Sequence, residues 1–370
     1  MTTHGLTHWG TLLAIRHFKK APRRDSSGGQ KNETQPISIL KPVKGTEDGL
    51  VENLESFFRL VYPKFEIIFS VAESHDPCIA VIESLRTKYP RVRSRLIVGD
   101  VIVGPNPKVN NLVRSYAQAR HDWILISDSN VRVEPNYLYV AAEPFTPEVG
   151  IVTAAVLGSQ PRESGGWLES VFLNTFYARW MLIARRTGNP VVVGKSMLFR
   201  KSEAERFGGI APLGRYLAED YMAGQAMALI NRRVEIMRTP ITQPIGNYSF
   251  KAFWSRHIRW GRIRKSQAPA LFFFEPLFSF WLSGIGAAIS LSHFFSTPFW
   301  LTLSVHGSVW LASDLLTMRA MNSRICAQSI LGWFARETLA LPLWFHISLG
   351  KTVMWRGRQL TLSRGGLLQS

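Results

Sequence analysis

Asp128 and Asn130, two residues apart, stand just past the apolar run Trp123-Ile124-Leu125-Ile126. A carboxylate and a carboxamide so spaced project from one side of a chain end. Hard oxygen donors placed there suit a divalent cation that itself holds a diphosphate. Taken alone, the same residues also make an ordinary polar loop. Three further clusters share their character: Lys41-Pro42, Glu73 with Asp76, and Glu219-Asp220. Each stands at an expected strand end or helix start. Glu73 and Asp76 read equally as loop acids, and Glu219-Asp220 as acids favoured by a helix N-terminus. Together they supply what transfer of a sugar from a nucleotide requires. One acid contacts the nucleoside, one holds the metal on the diphosphate, and one takes the proton of the acceptor hydroxyl.

A second constellation is Arg256-His257-Ile258-Arg259-Trp260. Its arginines are three apart and share a helix face. Guanidinium groups clamp phosphate oxygens bidentately, and Trp260 offers a flat face to an apolar or sugar surface. A basic helix resting on lipid headgroups is the plainer reading of the same residues.

The elements that must position these groups alternate. Pro36 to Leu40 reads as a strand, Leu50 to Leu60 as a helix with Leu50, Leu54, Phe57 and Phe58 on one face, and Phe65 to Val71 as a strand. A helix over Ala80 to Tyr89, a strand over Arg95 to Val98, and a helix from about Val109 to Arg120 capped by Pro105-Asn106-Pro107-Lys108 follow. The chain then enters the strand before Asp128. The unbroken apolar run there predicts burial on both faces of a parallel sheet. Further on, Gly150 to Leu157 and Val191 to Phe199 are strand-like, the second broken by Gly194-Lys195-Ser196. Gly165 to Ile183 is a long amphipathic segment rich in aromatics, and Leu217 to Ile230 and Ser249 to Lys265 are helical. Strands alternating with helices imply an α/β domain whose ligands bind past the carboxyl ends of its strands.

Among 370 residues, Lys and Arg outnumber Asp and Glu by 44 to 26, so the surface favours anionic partners. With 46% hydrophobic residues the chain is not globally disordered. The two cysteines, Cys78 and Cys326, form no disulfide framework or metal-ligand spacing, which fits a reducing compartment. Residues 1–35 read as a basic flexible tail whose apolar run, Leu12 to Ile15, is too short for a span. From Pro276 to Ser313 there is no Lys, Arg, Asp or Glu. Broken at Ser296-Thr297-Pro298, that stretch forms two apolar pieces of about 20 residues each, the length a bilayer core demands. Thr338 to Gly350, with Pro342, reads as a re-entrant or interfacial helix. Arg262, Arg264 and Lys265 before the first piece place the large N-terminal domain in the cytosol. The expected organisation is a tail over 1–35, a catalytic domain over 36–265, and a membrane region over 266–370.

Several motifs resemble the ceramide glucosyltransferase family: Lys41-Pro42-Val43-Lys44-Gly45, Asn53-Leu54-Glu55-Ser56-Phe57-Phe58, Tyr62-Pro63-Lys64-Phe65-Glu66 and Asn106-Pro107-Lys108-Val109-Asn110-Asn111-Leu112. So do Ser127-Asp128-Ser129-Asn130, Ala218-Glu219-Asp220-Tyr221 and Arg256-x-x-Arg259-Trp260. The resemblance runs in order from about Ser38 to Lys265. It implies a GT-A (Rossmann-like) fold with a mostly parallel sheet, followed by C-terminal membrane helices. It also implies an inverting transfer from a UDP-sugar with Mg²⁺ or Mn²⁺. The family's three acidic positions fall on Glu73, where vertebrate enzymes have Asp, on Asp128, and on Asp220. The resemblance gives Glu73 the nucleotide contact. Asp128, with Asn130, takes the metal-associated position, and Asp220 that of general base. Arg256, Arg259 and Trp260 match the last motif and are implied to engage the diphosphate. Lys41 and Lys108 lie in matching motifs as donor-binding residues.

The expected reaction moves glucose from UDP-glucose to the primary hydroxyl of ceramide, at a bacterial cytoplasmic membrane crossed more than once. A related bacterial group that glycosylates hopanoid lipids, with an N-acetylhexosamine, is the alternative acceptor reading. Processive polysaccharide synthases carry more spans than are present here. Nucleic acid is not an expected partner. A non-enzymatic basic membrane protein would bind any polyanion in a salt-sensitive, metal-independent way.

Overall fold

The computed structural model describes residues 3–18, 34–189, 191–355 and 358–369. Two compact units are interleaved in sequence. One comprises 19–156 and 184–244; the other comprises 1–18, 157–183 and 245–370.

The first unit is built, among the described residues, on a seven-stranded sheet. From edge to edge its strands are Ser94–Val98, Phe65–Val71, Ile37–Pro42, Trp123–Ile126, Met197–Arg200, Val149–Thr153 and Arg233–Ile236. Met197–Arg200 runs antiparallel to both neighbours; the other pairings are parallel. The α/β expectation therefore holds, with one reversed strand. Strand order changes direction between Ile37–Pro42 and Trp123–Ile126, where Leu40 pairs with Ile126. In open α/β sheets such a switch point opens a crevice beyond the strand ends, and both Lys41 and Asp128 stand there.

Burial explains why these strands read as continuous apolar runs. Leu40, Ile68, Ile124 and Ile126 pack with Leu112 and Tyr116 of the helix Pro107–Gln118 and with Met197 and Phe199. Each such side chain withdrawn from water contributes about 1.5–3 kcal/mol. The Pro107–Gln118 helix starts where Asn106 caps it, accepting from the N–H groups of Lys108 at 2.9 Å and Val109 at 3.2 Å, with Pro107 at a position that needs no donor. The expected strand over Val191–Phe199 is shorter than its apolar pattern. Only Met197–Arg200 pairs, because the preceding residues form a loop that carries Gly194 and Lys195 into the crevice.

The second unit is mainly helical. Ser164–Phe172 continues through a π-helical turn, Leu173–Tyr177, into Ala178–Arg186. Phe250–Gln267, Phe280–Phe295, Phe299–Ala320 and Ala327–Ser348 follow. Three sequence expectations change. Thr3–His17 is a helix, not part of a flexible tail: Thr11 Oγ1 meets Thr317 Oγ1 at 3.2 Å, and His8 Nδ1 meets Ser313 Oγ at 2.7 Å. The rest of the expected tail, 19–33, lies outside the described residues. The expected short piece over Thr338–Gly350 belongs to the longer helix Ala327–Ser348, which also carries Arg336 and Glu337. The second apolar piece extends to Ala320 and includes Asp314, which is satisfied internally: Arg179 Nη1 lies 2.6 Å away and Trp333 Nε1 donates to it at 2.6 Å. Among the described residues no single helix is long and apolar enough to cross a membrane. The pair Pro269–Phe278 and Phe280–Phe295, bent by 60°, meets that length and composition together.

Candidate active site

The crevice at the switch point is filled by charges. The ammonium of Lys108 lies 2.7 Å from Asp128 Oδ1 and 2.9 Å from Glu219 Oε1, and donates to the carbonyl of Gly194 at 3.2 Å. Lys195 donates to Asn130 Oδ1 at 2.6 Å and stands 3.6 Å from Asp128 Oδ2. Asp220 Oδ2 accepts from Gly194 N–H at 2.8 Å, and its Oδ1 from Tyr221 N–H at 2.8 Å. Three chain regions far apart in sequence thus deliver Asp128, Lys108 and Asp220 to one place. Gly194 leaves these groups room: a Cβ at that position would sit 2.8 Å from Lys108 Nζ and 3.1 Å from Asp220 Oδ2, so the ammonium would have to shift.

Local structure fixes each member. Asp128 follows the buried end of Trp123–Ile126. Asp220 and Glu219 open the helix Glu219–Leu229, where the dipole favours acids. Asn106 links helix start to helix start. Besides capping its own helix it donates to Glu219 Oε2 at 3.2 Å and to the carbonyl of Tyr216 at 2.8 Å.

The environment pushes the two catalytic candidates apart. Burial raises the Asp128 carboxyl, but Lys108 and then Lys195 more than reverse this and hold it at about 2. Burial, then the neighbouring Glu219, raises Asp220 to about 6 against the pull of Lys108. One acid is a permanent anion. The other is poised to exchange a proton near neutral pH, as a general base must. Lys108 stays charged: burial works against its proton, but Asp128, Glu219 and Asp220 hold it above the ordinary lysine range.

Lys41 is not a surface cation. Its side chain is wholly buried, its ammonium lies 3.7 Å from the centre of the Phe57 ring, and it donates to the main-chain oxygen of Asp128 at 2.6 Å. Burial lowers its pKa well below the usual value. Through its bond to that oxygen it supports the Asp128 turn. Glu73 stands exposed and ion-paired with Lys44 at 2.8 Å. The buried acid of that loop is Asp76, which accepts from the N–H groups of Gly45 at 2.9 Å and Cys78 at 2.9 Å. Those bonds hold it below the ordinary carboxylate range even though burial raises it.

Arg256, Arg259 and Trp260 lie on Phe250–Gln267 in the second unit. Buried Glu169 organises their start: it meets Arg256 Nε at 3.2 Å and His257 Nε2 at 2.9 Å. The Arg256 guanidinium lies 4.3 Å from the Trp260 ring centre, and Tyr177 stacks on the same ring at 6.0 Å. Motif spacing alone gave no sign of Glu169. Lys195 was also missed, although the interruption of an apolar strand by Gly194-Lys195-Ser196 is the signal that marks it.

Among the described residues no group of three His, Cys, Asp or Glu is arranged to hold a metal ion. A divalent cation fits here in a narrower way. Asp128 is ionised, Asn130 adds a carbonyl oxygen beside it, and the remaining ligands of such an ion come from phosphate and water.

The sequence model of glycosyl transferase family 21 matches residues 7–368. A ceramide glucosyltransferase of Caenorhabditis elegans, its number 3, is 31% identical over 89% of this chain and 73% of its own length. The ceramide glucosyltransferase of Komagataella phaffii is 28% identical over 90% and 83%. Among solved structures, a mannosyltransferase from Pyrobaculum calidifontis in complex with GDP-Man and Mn²⁺ superposes with a TM-score of 0.52 at 17% identity. It covers 94% of this chain and 92% of that one, a likeness of fold.

Proposed function

The chain belongs to glycosyl transferase family 21, the ceramide glucosyltransferase family, and is a hexosyltransferase; we propose that it moves glucose from UDP-glucose to the primary hydroxyl of ceramide, giving glucosylceramide. The observation that carries the mechanism is the meeting of Asp128 and Asp220 around Lys108 and Gly194. It supports a donor bound at the switch point with its diphosphate toward Lys108 and Lys195.

In this reading Asp220 accepts the proton of the acceptor hydroxyl as that oxygen attacks C1 from the face opposite UDP. The C1–O bond to the diphosphate breaks, and UDP leaves with the bonding pair. Each Asp220 oxygen keeps a lone pair beyond its bond to a backbone N–H. Lys108 and Lys195 stabilise the charge that grows on the leaving group. A divalent ion, bound by Asp128 and Asn130, would add Lewis-acid stabilisation of the same phosphate oxygens. Glu73 as the nucleotide contact, and Arg256, Arg259 and Trp260 as the diphosphate motif, rest on the sequence match.

The proposed setting is a bacterial cytoplasmic membrane, with the sheet-containing unit on the cytosolic side. It is supported by the exposure of Phe273, Phe274, Phe294, Phe295 and Trp300, each more than half accessible. Large apolar side chains so concentrated mark a surface that meets lipid or protein.

The test is incubation of the purified chain with UDP-glucose, Mn²⁺ and either ceramide or a hopanoid. Hexosylceramide is the expected product. A glycosylated hopanoid formed in its place would move the acceptor to the related bacterial group.

A further inference from the structure

Gly194 and Lys195 enter the crevice as the two central residues of a tight turn, closed where Ser196 N–H donates to the Val193 carbonyl at 3.1 Å. The turn touches the site twice. Gly194 N–H donates to Asp220 Oδ2 at 2.8 Å, and Lys195 Nζ donates to Asn130 Oδ1 at 2.6 Å. Ladder pairing of the strand that follows begins at Met197. What fixes the two ends of the turn therefore decides where both groups stand.

Each end meets one buried hydroxyl. Thr153, the wholly buried last residue of Val149–Thr153, accepts from Val193 N–H at 3.0 Å and donates to the Val193 carbonyl at 3.3 Å. Buried main-chain groups require such partners. A hydroxyl can donate and accept at once, so one oxygen does for Val193 what a paired strand would do. The β-branched side chain leaves that oxygen few alternative positions. At the other end the Tyr137 hydroxyl meets Ser196 Oγ at 2.6 Å, both residues being buried. The Tyr137 ring stands edge-on to Phe57 with 6.1 Å between centres, and Phe57 is the ring that lies against the Lys41 ammonium. The support of the turn and the support of Asp128 thus share one buried aromatic pair.

We propose that Thr153 and Tyr137 are positioning residues for the transfer: Thr153 sets the Gly194 N–H that aims Asp220, and Tyr137 sets Lys195 beside Asn130. Every residue involved belongs to the sheet-containing unit. The inference rests on the reading of Asp220 as base and of Lys195 as a partner of the diphosphate, and adds what holds both in place. The two residues have different parts. Thr153 acts on proton removal and Tyr137 on donor binding.

Thr153→Val keeps the shape and removes the hydroxyl. Asp220 is faced by Glu219, by Lys108 and by the N–H groups of Gly194 and Tyr221, and the Gly194 bond lowers its pKa. With that bond loosened, the acidic limb of kcat/KM should move to higher pH and kcat should fall by about 10²-fold. Thr153→Ser keeps the hydroxyl and should recover most of both. Tyr137→Phe should raise KM for UDP-glucose by about tenfold and leave the limb in place. UDP release is the assay, so it serves whichever lipid wild type glycosylates, and melting temperatures show which variants are folded. Should Thr153→Val not fold, Thr153→Ala, which leaves room for water at Val193, repeats the test with the same shift expected. A folded hydroxyl-free variant with the kcat and acidic limb of wild type would overturn the part given to Thr153. So would a loss that Thr153→Ser shares in full, since that marks packing alone. An unchanged KM in Tyr137→Phe would overturn the part given to Tyr137. The two readings fail separately. If Asp220→Asn turns over normally, the base assignment falls whatever these variants do. If Asp220→Asn is inactive and Thr153→Val is unimpaired, the positioning role falls alone.

Discussion

Lys108 Nζ lies 2.7 Å from Asp128 Oδ1, joining the helix after one strand to the end of the next across the switch point of the sheet. The same ammonium reaches Glu219 Oε1 at 2.9 Å, so it also fixes the start of the helix that carries Asp220. The proposed chemistry depends on this crossing, because it brings a permanent anion and a poised base to the neighbourhood of one cation.

Asp220→Asn keeps the side chain's volume and removes the proton acceptor, giving up one of the two bonds from the Gly194 and Tyr221 N–H groups. Turnover should fall by about 10²–10⁴-fold, while UDP-glucose affinity, measured by calorimetry, stays as in wild type. Near-normal turnover would remove Asp220 as base.

The pH profile follows from the Asp220 carboxyl being raised to about 6. The base works ionised, so kcat/KM should fall as pH drops through about 6. Glu219 raises that carboxyl and Lys108 lowers it. The acidic limb should therefore move to lower pH in Glu219→Gln and to higher pH in Lys108→Met. Limbs that stay in place in both variants would contradict the assignment.

Lys41→Met should weaken the protein. It leaves the Asp128 main-chain oxygen without the 2.6 Å bond it accepts, at a cost of about 1–3 kcal/mol. Thermal unfolding measures the loss. A rise in KM for UDP-glucose should accompany it, because the Asp128 turn loses its support.

Much of this was readable in the chain itself. The alternating elements and the helix cap at Asn106 follow from local pattern, and Asp128 and Asp220 announce themselves as polar breaks after or before regular elements. The inward turn of Lys41 was not legible, because it depends on the tertiary position of Phe57, whose ring centre lies 3.7 Å from its ammonium. The Thr3–His17 helix hid because its stability comes from packing on Phe299–Ala320, not from its own periodicity. Lys195 and Glu169 act through partners 65 and 88 residues away, a separation that local spacing cannot report.

Chelation should remove activity, and Mg²⁺ or Mn²⁺ should restore it. Independently of turnover, UDP with Mn²⁺ at about 100 times its Kd should stabilise the fold by about 2.7 kcal/mol. Asp128→Asn should lose the Mn²⁺-dependent part of that stabilisation. Stabilisation by UDP that is equal with and without metal in wild type would remove the cation from the account.

The central claim is that the Asp128–Lys108–Asp220 cluster glucosylates a membrane sphingolipid. The most direct measurement is mass analysis of lipids from a ceramide-containing host expressing either the wild-type chain or Asp220→Asn at equal level. Hexosylceramide in the wild-type host and none in the variant is the expected result. Hexosylceramide in both hosts, or in neither, would contradict the claim.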